Sequence, residues 1–316
     1  MKKTTALDDT RAKGTAAGQT FRVLSLDGGG TKGFQTLGVL QGIETAAGRP
    51  LGECFDLIWG TSVGACTAGL LATGASVKDI IDIYRREIPA LVAHQTPKHR
   101  SARLHDICRE LFGDRMLSTL RPPVGVVCTD WNRNETALLR TYAKSPSINL
   151  TLSNAVAASC SAYPLFEPCY LDVNGGGEVE LVDGGYGANN PTLYAIAESI
   201  RHFGKAKSNL RVVSVGGGIY PSAQPSGFRR LLKLAQGLGI LEKTMLINTA
   251  TTEQAVPLIF PDVSVIRFND HFDRGGLSET IVEMSPAKHE TLMECGTDSF
   301  ASRESQVRTL LDWAAS

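Results

Sequence analysis

No run in this chain approaches the roughly 18 consecutive apolar residues that a membrane-crossing helix needs, so nothing in it reads as a span. Net charge is missing as well, because 32 basic side chains balance 32 acidic ones. Bulk attraction to a nucleic-acid polymer or to an anionic membrane is therefore not indicated. Cys-x-x-Cys pairs are absent, and the seven cysteines (Cys54, Cys66, Cys108, Cys128, Cys160, Cys169 and Cys295) are odd in number and scattered through apolar segments. That pattern argues against a metal site and against a disulfide framework, and it fits a reducing cytosol. Met1 to Gln19 is polar and lacks the apolar h-region of a signal peptide. We expect a disordered tail over residues 1–20. Neither a repeat nor a linker divides the remainder, so a single domain is expected over residues 21–316.

What is present is an ample core. The apolar fraction of 42% and charged fraction of 20% are those of a globular protein large enough for one α/β domain. Strands are expected at Phe21–Leu26, Phe55–Trp59, Val124–Thr129, Ala137–Tyr142, Val179–Val182, Leu210–Val215 and Val263–Phe268. Helices are expected after the glycine loop at Asp27–Gly33, from Val63 to Thr73, and over Val77–Val92, Leu104–Phe112 and Leu152–Ser159. Further helices are expected from Asn189-Asn190-Pro191 to Phe203, from Phe228 to about Ala250, and over much of the C-terminal remainder. Ala93–Arg103 is polar and reads as a mobile loop. Strands alternating with helices indicate an α/β fold, its mostly parallel central sheet covered on both faces.

Ser62 is the most informative residue. It lies at the centre of Gly-x-Ser-x-Gly, in Gly60-Thr61-Ser62-Val63-Gly64, with an apolar stretch before it and the small residues Ala65, Cys66, Ala68 and Gly69 after it. A buried strand turning sharply into a helix has this composition. Such an elbow holds a serine hydroxyl over the end of a sheet, and the flanking glycines permit strained backbone and close approach of the helix.

Asp27-Gly28-Gly29-Gly30-Thr31-Lys32-Gly33 sits between a strand and a helix, where amides can converge on an anion. Three uses compete. Gly28, Gly30 and Gly33 satisfy Gly-x-Gly-x-x-Gly, but no acidic residue ends a second strand some twenty positions on, as a dinucleotide site requires. The Walker spacing is absent. The loop is similar to that of actin-like sugar kinases, which continue into a hairpin where this chain continues into a helix. The third use is an oxyanion hole built from the Gly28–Thr31 amides. With Ser62 one βα unit later, that use is favoured.

Ser62 needs a proton acceptor. Asp183, at a strand end before Gly184-Gly185, is one candidate. The order Ser62, Asp183, His271 is equally compatible with a Ser-Asp-His triad of an α/β-hydrolase esterase.

Three motifs then coincide. Asp27 to Gly33, Gly60 to Gly64 and Asp183 to Gly185 resemble, in order and spacing, the motifs of the patatin-like phospholipases. Ala158-Ser159-Cys160-Ser161-Ala162-Tyr163-Pro164 resembles a fourth, slightly altered, and Asn189-Asn190-Pro191 also fits. The resemblance implies a three-layer fold and a Ser62–Asp183 dyad without histidine, so that His271 becomes a surface residue. It implies an oxyanion hole at Gly28, Gly29, Gly30 and Thr31, with Gly33, Gly60, Gly64, Gly184 and Gly185 as motif glycines. The substrate would be membrane phospholipid, with no cofactor and no metal. The opening Leu24 to Gly30 and the compact build also resemble effectors of antiphage systems switched on by cyclic oligonucleotides. That implies a nucleotide activator and a cytoplasmic protein, peripheral at the inner membrane when active; a homo-oligomer stays open, as does a non-catalytic nucleotide sensor. The basic, apolar stretch from Phe228 to Leu241 is a candidate membrane-contacting helix. Ala93–Arg103 and Pro221–Gly227 are candidate lids.

Overall fold

The computed structural model describes residues 19–94, 96–140, 150–172, 177–221, 238–273 and 285–313, together with Tyr142, Leu277 and Val282. Strands run over Phe21–Leu26 (β1), Leu57–Thr61 (β2), Val124–Asp130 (β3), Glu135–Arg140 (β4), Cys169–Leu171 (β5), Val179–Asp183 (β6), Leu210–Val215 (β7) and Ser264–Phe268 (β8). Helices run over Gly33–Ala47 (α1), Val63–Ala72 (α2), Val77–Val92 (α3), Pro97–Phe112 (α4), Leu152–Ser159 (α5), Gly185–Ala188 (α6), Thr192–Arg201 (α7), Leu238–Ile259 (α8), Pro286–Ala301 (α9) and Glu304–Leu310 (α10). None of the described helices is long and apolar enough to cross a membrane.

The eight strands form one sheet in the order β5-β6-β3-β2-β1-β7-β8, with β4 on β3. The β3-β2-β1-β7-β8 run is parallel; β4 and β6 pair antiparallel with β3, and β5 with β6. The central parallel strands β2, β1 and β7 are largely apolar on both faces, as a doubly covered sheet demands. Leu24, Leu26, Ile58, Val213 and Val215 face one core with α1, α2 and α5. Phe21, Val23, Leu57, Trp59, Leu210 and Val212 alternate with them and face a second core with α7.

Two sequence expectations are corrected. Most of Ala93–Arg103 is not a loop, because α4 begins at Pro97, the Thr96 side chain accepts the His99 amide, and Gly113 ends the helix. Proline suits the first helical position, whose amide has no intrahelical acceptor, so the polar composition disguised a capped helix start. The second strand lies two residues later than Phe55–Trp59, because Gly60 and Thr61 carry ladder pairing to β3 while Leu51–Glu53 forms a 3-10 turn before it. The short β5 and α6 were not foreseen. Phe228–Gly237 and the Ser222–Gly227 part of the second lid candidate lie outside the described residues.

Helix α1 packs against α9 through glycine. A Cβ on Gly38 would lie 2.2 Å from the Met293 carbonyl oxygen, and one on Gly296 only 2.1 Å from that of Gln35. Both neighbours are backbone, so a methyl group must push the helices apart. We expect Gly38→Ala and Gly296→Ala each to cost roughly 1–3 kcal/mol in urea unfolding. Gly239→Ala on α8, where a Cβ meets nothing within 4 Å, should leave the midpoint unchanged or slightly raised.

Candidate active site

Two strands meet tip to tip on one edge of β3. Thr61 of β2 is in register with Val127, and Asp183 of β6 is in register with the next residue, Cys128. Strand β4 pairs with Gly125 through Asp130 and so takes the whole other edge. Strands β2 and β6 therefore share a single edge, running in opposite directions, and the residues at their ends must face each other. Those residues are Ser62 and Asp183.

Ser62 has φ 54° and ψ −126°, a conformation that non-glycine residues rarely adopt and that marks a strained elbow. Close approach makes the turn possible. A Cβ on Gly64 would lie 2.4 Å from the Leu26 carbonyl oxygen, and one on Gly60 2.3 Å from that of Gly64. From α3, the Tyr84 hydroxyl donates to the Val63 carbonyl at 2.9 Å and fixes the first turn of α2.

The altered fourth motif supplies the scaffold. Ser159 Oγ donates to the Val127 carbonyl at 2.6 Å and accepts the Ser62 amide at 2.8 Å. The Ser161 carbonyl accepts the Asp183 amide at 2.9 Å, and Thr129 Oγ1 donates to the Asp183 carbonyl at 2.9 Å. Both strand tips are thus tied to β3 and to the end of α5. The Ala-Ser pattern was visible in the sequence, but nothing there assigned Ser159 this bridging position.

Ser62 Oγ donates to Asp183 Oδ2 at 2.6 Å, and the Gly185 amide donates to Oδ1 at 2.7 Å. Asp183 is 1% exposed. Burial pushes its pKa up to about 6, against the opposing pull of the Ser62 and Gly185 hydrogen bonds. Gly184 must lack a side chain, because a Cβ there would sit 2.3 Å from the Val127 carbonyl oxygen. His271 is exposed after β8, bridged to Ile219. Strand β8 stands three places from β2, which is roughly 14 Å at ordinary strand spacing. The Ser-Asp-His arrangement is therefore not assembled.

The glycine loop needs one correction. The Gly28 amide donates to the Asn189 carbonyl at 3.0 Å, and Asn189 Nδ2 donates back to the Gly28 carbonyl at 3.3 Å. Gly28 is a crossing point of two segments: a Cβ there would meet Asn189 Oδ1 at 2.5 Å and Ser62 Cβ at 3.3 Å. Its amide is thus already committed. Among the described residues no backbone acceptor takes the Gly29 or Gly30 amide, and Gly30 and Thr31 line the same cavity as Ser62 and Asp183. Gly33 packs on Val63, which a Cβ there would approach to 3.0 Å.

Two anchors hold the loop, and both come from the C-terminal third. Asp27 is buried and accepts two hydrogen bonds from Arg267 on β8, at 2.8 and 2.5 Å. Burial alone would lower the Arg267 pKa, but the Asp27 and Glu253 carboxylates outweigh it and raise it, keeping the guanidinium charged. On α8, Asn248 Oδ1 accepts the Asn189 amide at 2.7 Å, and Thr249 Oγ1 accepts from Asn189 Nδ2 at 2.9 Å. Sequence reading missed all three residues. Only Arg267 left a trace, as a charge in an otherwise apolar strand.

A narrow cavity of about 140 Å³ leads from Ser62 between α3 and α4. Its walls are apolar, including Ile83, Ile88, Leu91, Leu104, Ile107 and Leu111. Burial pushes the Cys66 thiol, also in the wall, up to about 12, so it stays protonated. Glu87 latches the two helices by accepting from Arg103 on α4 at 2.6 Å. The candidate lid around Ala93–Arg103 is instead the α3–α4 corner of this wall. Such a tunnel admits an extended hydrocarbon chain with its polar end at Ser62.

The family model for patatin-like phospholipase matches residues 24–196. A cUMP-AMP-activated phospholipase of Escherichia coli is 39% identical over 299 residues, covering 92% of this chain and 93% of that protein. A cGAMP-activated phospholipase of Pseudomonas aeruginosa is 30% identical over 221 residues, covering 62% of each chain. Patatin-like protein 3 of Arabidopsis thaliana is 27% identical over 265 residues, covering 70% of this chain and 59% of that protein. The serine elbow, the facing aspartate and the glycine loop all fall inside the matched segment, and the chain belongs to the patatin-like phospholipase family.

Proposed function

We propose that Ser62 and Asp183 form a catalytic dyad that hydrolyses acyl esters of membrane phospholipid. The observation that carries this reading is the 2.6 Å Ser62–Asp183 hydrogen bond at the mouth of an apolar tunnel. Asp183 takes the Ser62 proton as Oγ attacks the ester carbonyl, and Gly30, with Gly29 and Thr31 beside it, donates amides to the developing oxyanion. Asp183 returns the proton to the departing alcohol, leaving the acyl group on Ser62. A water deprotonated by Asp183 then attacks that ester, the C–Oγ bond breaks, and Asp183 returns the proton to Ser62 Oγ as the fatty acid leaves. A carboxylate near its ordinary pKa of about 4 is a weak base for this work. Burial brings Asp183 to about 6, nearer the operating pH, where general-base catalysis is more efficient.

A hydrolase of this kind in constant action would attack its host's own membrane. The names of the Escherichia coli and Pseudomonas aeruginosa relatives state activation by cUMP-AMP and by cGAMP. We propose that this chain too is switched on by a cyclic dinucleotide, serves in antiphage defence, and works from the cytoplasm at the surface of the inner membrane. No observation favours a sensor without catalysis.

Fatty-acid release from mixed phospholipid vesicles, with and without cUMP-AMP or cGAMP, tests both statements. Release that requires both nucleotide and Ser62 is expected. Release without nucleotide would discard the gating, and wild-type turnover in Ser62→Ala would discard the dyad. Ser62→Ala and Asp183→Asn should each lower kcat by about 10³-fold or more. Ser159→Ala frees the Ser62 amide without touching substrate, and kcat should fall about 10–100-fold with KM little changed.

Asp183 also predicts a pH-dependent stability. Its carboxyl binds a proton more tightly when folded, at about 6, than when unfolded, at about 4. The stability this lends is full below about pH 4 and lost as pH rises through about 6. At pH 8 the wild type therefore carries the whole cost of the buried charge, on the order of 3 kcal/mol for about two pKa units. Asp183→Asn should be the more stable protein at pH 8 in urea unfolding, with the gap closing by pH 4. A constant gap would show that charge burial is not its cause.

A further inference from the structure

A second, half-open cavity of about 480 Å³ lies on the other face of the sheet between α8 and the β7–β8 edge. It is not simply apolar. Its walls include Val256, Pro257, Phe260 and Val265, while Asn190, Thr252, Glu253 and Arg267 are among the residues that bring polar atoms to it. Asn190 Oδ1 is used by the Thr192 amide and hydroxyl, and Glu253 Oε1 by Arg267 and Asn269. Among the described residues, their other atoms, Asn190 Nδ2 and Glu253 Oε2, have no hydrogen-bond partner, and neither has Thr252 Oγ1. Beside the Arg267 guanidinium, which Asp27, Ser214 and Glu253 engage, the cavity therefore offers an amide donor, a carboxylate acceptor and a hydroxyl that can be either. A flat aromatic wall, Phe260, stands beside them. Lys207 reaches the Phe260 ring, with Nζ 5.6 Å from its centroid, and adds a positive charge there.

That combination matches one chemical class. A nucleobase presents an amine donor and ring acceptors at its edge and a π-face for stacking, while its phosphate is an anion that suits an exposed lysine and not a carboxylate-bearing floor. Resting on the nucleotide-gating reading above, we infer that this cavity holds a base of the cyclic dinucleotide activator. The base edge meets Glu253, Thr252 and Asn190, its face lies on Phe260, and a phosphate lies by Lys207.

The same residues are physically joined to the catalytic loop. Glu253 accepts from Arg267 Nε at 2.8 Å, and the other end of that guanidinium holds Asp27 at the start of the glycine loop. One to two turns before Thr252 and Glu253 on α8, Met245 lines the catalytic cavity, and Asn248 and Thr249 hold Asn189 against Gly28. A ligand that draws on Glu253 changes the pairing of Arg267 and the seat of α8. Both changes reach the loop that faces Ser62.

Calorimetric titration of cUMP-AMP, cGAMP and AMP into the Ser62→Ala protein tests this, because binding is then read without hydrolysis. Phe260→Ala, Thr252→Trp and Lys207→Glu in the same background should each weaken dinucleotide binding by about tenfold or more. AMP should compete at the same site with lower affinity, and Lys207→Glu should weaken it too. Lys207 is exposed, so that variant reports binding even where a cavity variant fails to fold, and Phe260→Leu gives a milder probe of the wall. Wild-type affinity in Lys207→Glu and Phe260→Leu would overturn this placement while leaving nucleotide gating intact. If no cyclic dinucleotide binds, placement and gating both fall; Ser62-dependent release of fatty acid would still stand as a separate result.

Discussion

The shared edge of β3 is the constraint on which the rest depends. A strand edge can pair with only one partner at a time, so β2 and β6 can share it only by ending against each other. Their opposed ends put a serine and an aspartate in contact without any third catalytic side chain to position them. Most hydrolytic sites hold nucleophile and base on separate loops and need hydrogen-bonded intermediaries to align them. Here the register of one ladder does that work, and Ser159 secures it by donating to β3 and accepting from the elbow.

On the proposed dyad, that geometry also explains how an aspartate would serve where histidine is usual. The carboxylate lies at a strand end inside the sheet's cover, with two hydrogen bonds and little solvent, so desolvation dominates its proton affinity. An exposed aspartate in the same position would hold its charge too comfortably to take a proton from serine. The burial that would make Asp183 a useful base also makes it a burden on the fold.

Much of this was legible in the sequence, because apolar runs with β-branched residues and turn glycines report strands and elbows directly. Strands β1 and β7 and helices α3 and α5 have the boundaries that periodicity predicts. Ser62 and Asp183 stood out because each is flanked by glycines that close packing requires. The N-terminal turn of α4 was hidden, since Pro97, His99 and Arg100 look like loop until a threonine cap and a proline at the first turn are weighed together. Gly28 misled for a related reason. A glycine can be needed either for its free amide or for its missing side chain, and only coordinates separate the two: here the amide is bonded to Asn189 and the missing Cβ leaves room for it. Long-range partners such as Asn248 and Thr249 have no local signature at all, and Arg267 has only its charge in an apolar strand.

Those long-range partners bear on how the family motifs should be read in this chain. The family model ends at residue 196, yet Met245, Asn248, Thr249 and Arg267 all act on the loop and strand ends inside it. On the proposed mechanism the motif residues supply the chemistry, and the segment beyond them holds them in place. A buried ion pair contributes little net stability, because the cost of desolvation offsets most of the attraction; removing one partner leaves an uncompensated charge and is severe. The Asp27–Arg267 pair is therefore poorly explained as a device for stability alone. It ties the C-terminal third directly to the start of the glycine loop, whose Gly30 and Thr31 line the cavity at Ser62. Control of activity can then diverge between relatives while the serine and aspartate stay where β3 puts them.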